Sequence, residues 1–225
     1  MADYKAYQPK ETSRKRENIE WSISYVFNAT DKSNPRVLLI GDSICNDYQR
    51  HARVFLEDTC NVSFWASSKC VTDPDYFREL NFILDAYDYD VITFNNGLHS
   101  LNTNREEWKA AYRSAVKFVQ EKTKAPVFLV LSTPLKVPEL TALSKELNGY
   151  TLEIAEEMHL PVIDLFSLMD PLDREEHWRD SHHFREPAIE MQGKCICEHV
   201  KAALGQRAAS VGHAATATGP DGAIE

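Results

Sequence analysis

Three histidines fall within seven residues of one stretch, "HWRDSHHFREP" at 177–187: His177, His182 and His183, with Asp180 between them. Such side chains can bind a metal, act as a base with its orienting acid, or fill a polar loop. Asp180 and His183 are spaced D-x-x-H. In a tight turn, residues i and i+3 meet. The carboxylate can then accept from His183 Nδ1–H and leave Nε2 free to take a proton from a hydroxyl. His182 is one step off and points elsewhere. A metal reading would draw on His177, Asp180, His182, His183 and His99. However, His177-x4-His182 is not a common zinc spacing, and catalytic zinc needs three defined ligands. His51, His159, His199 and His213 read as ordinary surface residues.

A base needs a nucleophile, because a serine is inert at its free pKa. "GDSIC" offers Gly41, Asp42 and Ser43 after an apolar run. A serine there, at a helix N-terminus, has free N–H groups and the positive dipole end beside it for an oxyanion. The same residues would also serve as a plain N-cap. "FNNGLHS" carries Asn95, Asn96, Gly97 and His99. Its amides can donate to an oxyanion, or the segment is simply a turn. "SSKC" (67–70) offers another backbone N–H, and nothing in it singles out one residue.

The elements that must position these groups are legible as β/α alternation. Near-continuous apolar runs at 35–41, 61–66, 90–97, 125–132 and 160–165 read as parallel strands covered on both faces. Helical stripes lie at 46–58, 74–86, 104–122, 138–158 and 186–204, the last weakened by Gly193. A further helix is expected at about 18–28. The fold class is therefore α/β, with a five-stranded parallel sheet between helices. Chemistry is expected beyond the C-terminal strand ends, where strand order reverses. Residues 1–17 read as a flexible segment, 18–206 as a single domain, and 207–225, rich in Gly, Ala and Thr, as a disordered tail.

Composition narrows the function. With 225 residues, 43% hydrophobic and 26% charged, the chain can bury a core. A net charge of −9 disfavours nucleic acid and anionic membrane as partners. No apolar stretch is long enough to span a bilayer and no signal peptide is visible, so a cytoplasmic location is expected. Five cysteines without a CxxC pair suit neither a disulfide framework nor a zinc ribbon.

Taken together, "LLIGDSIC", "FNNGLHS" and "DSHHF", each after its expected strand, resemble the SGNH hydrolases, also called GDSL-type esterases. The likeness spans residues 36 to about 203. It implies a flavodoxin-like, three-layer α/β/α fold and ester hydrolysis without metal or other cofactor. It makes Ser43 the nucleophile, His183 the base and Asp180 its orienter. The oxyanion would be held by Ser43 N–H, a second-block N–H and an asparagine side chain. The second-block glycine is missing here; Ser67, Ser68 or Lys69 takes its place, with Ser68 carried as the candidate. The third block, N-N-G-L-H rather than G-x-N-D, resembles a sub-group in which asparagine precedes glycine, and Asn95 is favoured over Asn96. Asp42, Asn96, Gly97, His99, Trp178 and His182 are the candidate substrate-binding residues. The expected reaction removes a small acyl group, acetyl first, from a carbohydrate or other polar alcohol. A lysophospholipase- or thioesterase-like hydrolase and a decayed glycan-binding module are the alternatives.

Overall fold

The structure, a computed structural model, describes residues 2–216. Five parallel strands form where the apolar runs lie: β2 (Arg36–Gly41), β3 (Asn61–Ser67), β4 (Val91–Phe94), β5 (Val127–Val130) and β6 (Val162–Ile163). Val37, Leu38, Leu39 and Ile40 of β2 are wholly buried, as suits a central strand covered on both faces. The parallel order is β3-β2-β4-β5-β6. This is the flavodoxin-like winding, whose direction reverses between β2 and β4.

The sheet has six strands rather than five. Residues expected to be helical form β1 (Ser22–Val26), which runs antiparallel to β3 along its edge, Ser22 opposite Ser67 and Val26 opposite Ser63. The cause lies in the sequence: Trp21, Ile23 and Tyr25 alternate with Ser22 and Ser24, a period of two rather than 3.6, and the β-branched Val26 follows. Trp65 Nε1 donates to Ser22 Oγ at 2.8 Å and fixes the register.

Helices cover both faces. α1 (Ser43–Phe55) packs against α7 (Glu186–Thr216) on one side. α2 (Pro74–Leu84), α3 (Arg105–Lys122) and α4 (Pro138–Glu157) lie together on the other. Two short helices, α5 (Leu165–Met169) and α6 (Arg174–His177), lead into the histidine-rich loop. Pro74 and Pro138 stand in the first turns of α2 and α4, where a missing N–H costs nothing. Gly193 has a packing reason: a Cβ there would stand 2.9 Å from His51 Cβ and 3.2 Å from Tyr48 O, so α7 meets α1 through it.

Both termini make contacts or continue elements that the sequence does not show. Residues 2–17 are tied across the fold. Tyr7 bonds Glu121, Ser13 donates to Glu107, and Arg14 pairs with Asp73. Buried ion pairing, which composition does not reveal, holds this segment. At the other end, 207–216 continue α7; 217–225 lie outside the described residues. Among the described residues, no helix is long and apolar enough to cross a membrane.

Candidate active site

Strand β2 ends at Gly41, and Asp42 caps α1, accepting from Ile44 N at 3.0 Å. Asn46 N takes Asp42 O. That leaves Ser43 N–H among the first-turn donors that a helix cannot satisfy internally. Ser43 is thus the first residue of α1, its hydroxyl at the C-terminal end of the sheet.

The loop after α6 is closed from below. Trp178 and Phe184 bridge across it, with ring centroids 4.3 Å apart and both side chains buried. Arg179 N donates to His183 O at 2.9 Å, and Lys136 N to Ser181 O at 3.0 Å. This clamp brings the D-x-x-H residues face to face. His183 Nδ1 stands 2.9 Å from Asp180 Oδ2 and 3.0 Å from Oδ1. His183 Nε2 stands 2.8 Å from Ser43 Oγ, across 140 residues of chain.

Electrostatics assign the protons. Desolvation pushes the Asp180 carboxyl up. The N–H groups of His182 and His183, each at 2.8 Å from Oδ1, and the His183 ring outweigh it and hold the carboxyl down at about 2. An ionised carboxylate only accepts, so His183 Nδ1 carries the hydrogen and Nε2 is the acceptor facing Ser43. His182 is separate: its Nδ1 pairs with Ser181 Oγ at 2.6 Å. Burial, then the neighbouring His183, push its pKa down, so the ring is neutral at pH 7.

Several expected site residues lie elsewhere. Asn95 Nδ2 spends both hydrogens, on Val130 O at 2.7 Å and Ser132 Oγ at 3.1 Å, so it has none left for an oxyanion. Asn96 is turned the other way. Its Oδ1 accepts from Val71 N and Ser100 Oγ, its Nδ2 donates to Lys69 O at 2.8 Å, and Tyr76 lies against the amide. Ser68 is closed off: its N–H goes to Trp21 O, and its hydroxyl to Glu20. Asp42 is buried, its second oxygen facing Leu98 N at 3.4 Å, and it braces the turn rather than meeting substrate. Trp178 is fully buried under the loop, with Arg174 over its ring, and lines no cleft. Gly97 is needed for close approach, since a Cβ there would fall 1.7 Å from Ser132 Oγ.

His99 and His182 do line the cleft at Ser43, with His183, Leu98 and an unexpected residue, Glu17. Glu17 Oε1 stands 2.5 Å from His99 Nδ1. A contact between residues 82 apart, one in a segment without periodicity, leaves no local signal. Among the described residues, no three His, Cys, Asp or Glu side chains converge as a metal-ligand set. His177 Nδ1 faces Asp173 O instead.

With that geometry in place, the fold is seen to be similar to that of solved structures of an acetylxylan esterase, a G-D-S-L family protein and a GDSL-like lipase. The acetylxylan esterase Axe2 from Geobacillus stearothermophilus superposes with a TM-score of 0.64 at 15% identity, over 77% of this chain and 95% of its own. For that enzyme, catalytic mutants replace a serine, an aspartate and a histidine, the last two three positions apart. A G-D-S-L family lipolytic protein from Veillonella parvula gives 0.60 at 18% identity, over 72% of this chain and 96% of its own. A GDSL-like lipase from Bacteroides thetaiotaomicron gives 0.60 at 14%, over 77% and 91%. By sequence alone, no family model and no curated protein matches the chain.

Proposed function

We propose that the chain is a serine ester hydrolase of the SGNH type that removes a small acyl group, acetyl first, from a polar alcohol of carbohydrate type. One observation carries this reading: the unbroken line from Ser43 Oγ through the His183 ring to Asp180. The esterase and lipase names of the structural neighbours support it.

In this reading Ser43 Oγ attacks the ester carbonyl as its proton passes to His183 Nε2. The tetrahedral oxyanion forms beside the N-terminus of α1, where Ser43 N–H donates. Collapse expels the alcohol, which takes the proton from Nε2 and leaves an acyl-Ser43 ester. Water then attacks this ester, giving its proton to Nε2. Ser43 leaves with that proton and the carboxylic acid departs. Asp180 stays ionised throughout and stabilises the imidazolium.

The acyl group is small because the cleft at Ser43, lined by Glu17, His99, His182 and His183, leaves Leu98 as the apolar contact and offers a long acyl chain no continuous apolar wall. Hydrolysis of p-nitrophenyl acetate and octanoate tests this. The acetate is expected to react at least tenfold faster in kcat/KM. Preference for octanoate would overturn the small-acyl reading, and no turnover of either ester would overturn the hydrolase reading.

A further inference from the structure

The cleft at Ser43 does not end at the dyad. Its inner chamber, ≈ 310 Å³, is walled by Ser43, His183, His182, His99, Leu98 and Glu17. A second chamber of ≈ 550 Å³ shares Glu17, Leu98, His99 and His182 with it. This outer chamber runs on between residues 13–17 and the turn at 98–103. Both volumes fall in the range of roughly 300–1,000 Å³ that small-molecule sites occupy. One wall is the N-terminal segment, tied down as a strap. Ser13 N and Oγ donate to Glu107 Oε2 at 3.0 and 2.7 Å. The buried Arg14 guanidinium pairs with Asp73 and Glu20 and donates to Ser68 O. Glu17 closes the strap onto His99.

The lining shows what the chamber would take. Lys15 Nζ, Glu17 Oε2 and the Asn102 amide line it or its rim and have no bonding partner among the described residues. They supply donors and acceptors of both signs around the apolar patches of Leu98, Leu101 and Leu140. A long acyl chain needs continuous apolar walls. An anion would meet Glu17 and a net charge of −9. A sugar chain, with a rim of hydroxyls and apolar C–H faces, matches both features.

We propose that this outer chamber is a leaving-group subsite that binds a neutral oligosaccharide chain against the strap of residues 13–17. The proposal rests on the ester-hydrolase reading for its direction: the acyl carbon sits at Ser43, and the alcohol extends outward past His99 and Glu17. The strap thereby selects substrates by the length of the alcohol rather than of the acid.

The test uses the full chain and the double variant Lys15→Ala/Asn102→Ala, both positions being exposed and outside the core. Xylotetraose, cellotetraose and mannotetraose, unacetylated, are titrated calorimetrically. kcat/KM is then measured for the acetylated form of any that binds and for p-nitrophenyl acetate. The expected result is saturable binding of at least one tetrasaccharide, weakened about tenfold in the variant through loss of two hydrogen-bonding groups. The ratio of kcat/KM for the acetylated sugar over p-nitrophenyl acetate should fall by a similar factor, through KM. If p-nitrophenyl acetate is hydrolysed but no tetrasaccharide binds, or if binding and ratio are unmoved in the variant, the subsite is overturned and the esterase stands. If a tetrasaccharide binds with strap dependence but no ester is hydrolysed, the subsite stands and the esterase reading falls.

Discussion

Replacing Asp180 by Asn isolates the proton logic of the site. Asp180 Oδ1 accepts the N–H groups of His182 and His183 at 2.8 Å each, while Oδ2 faces His183 Nδ1 at 2.9 Å. Asparagine can keep its oxygen on the two N–H groups, so the turn survives. Its Nδ2 then takes the Oδ2 place and donates to His183 Nδ1. The ring hydrogen moves to Nε2, which faces Ser43 Oγ at 2.8 Å and can no longer accept from it. Where such a carboxylate is buried, this exchange costs on the order of 10⁴ in kcat. The Asp180 side chain is 49% exposed, and water can partly restore the useful tautomer. The expected loss is therefore about 10³ in kcat, or about 4 kcal/mol of barrier. The assay is p-nitrophenyl acetate hydrolysis at pH 7, with near-UV circular dichroism to show that the fold is intact. Loss of less than about fivefold in a folded variant would refute the tautomer argument.

Further outcomes follow from the same geometry. His183→Ala is expected to abolish ester turnover, whereas His182→Ala, whose ring pairs with Ser181, lowers it less than tenfold; parallel kinetics decide this. Asn96→Ala, which strips Val71 N and Lys69 O of their partner, and Asn95→Ala, which strips Val130 O of its donor, should each cost about 1–3 kcal/mol of stability in urea melts. Arg14→Met leaves the wholly buried Asp73 carboxylate with only the more distant Arg16, at 3.8 Å, and should cost about 3 kcal/mol in the same melts. Asp180, held at about 2, lies below its unfolded value near ~3.9. Its stabilisation is complete above the unfolded value and is lost as pH falls toward the folded one. Acid unfolding monitored between pH 4 and 2 should therefore begin at higher pH in Asp180→Asn.

The five parallel strands were legible because each is a short, largely apolar run with turn residues at its ends. The meeting of Asp180 and His183 was legible because three-residue spacing in a turn is a local fact. What escaped was non-local or a matter of chain direction. Trp21, Ile23 and Tyr25 carry a strand's period, but only β3's free edge makes that period a strand. The strap is held by Arg14 and Ser13, whose partners are 59 and 94 residues away. Asn95 and Asn96 are adjacent, and one twist of backbone sends the first to β5 and the second to the loop after β3. Trp178 has the position of a cleft aromatic, yet Phe184, six residues on, claims its face.

The most direct test of a Ser43 nucleophile is labelling of the intact protein with a fluorophosphonate, followed by mass spectrometry of the whole chain and its peptides. The structure predicts one adduct, on Ser43, absent in Ser43→Ala and strongly slowed in His183→Ala. An adduct on another residue, or none while the folded protein still hydrolyses p-nitrophenyl acetate, would contradict the Ser43–His183–Asp180 assignment.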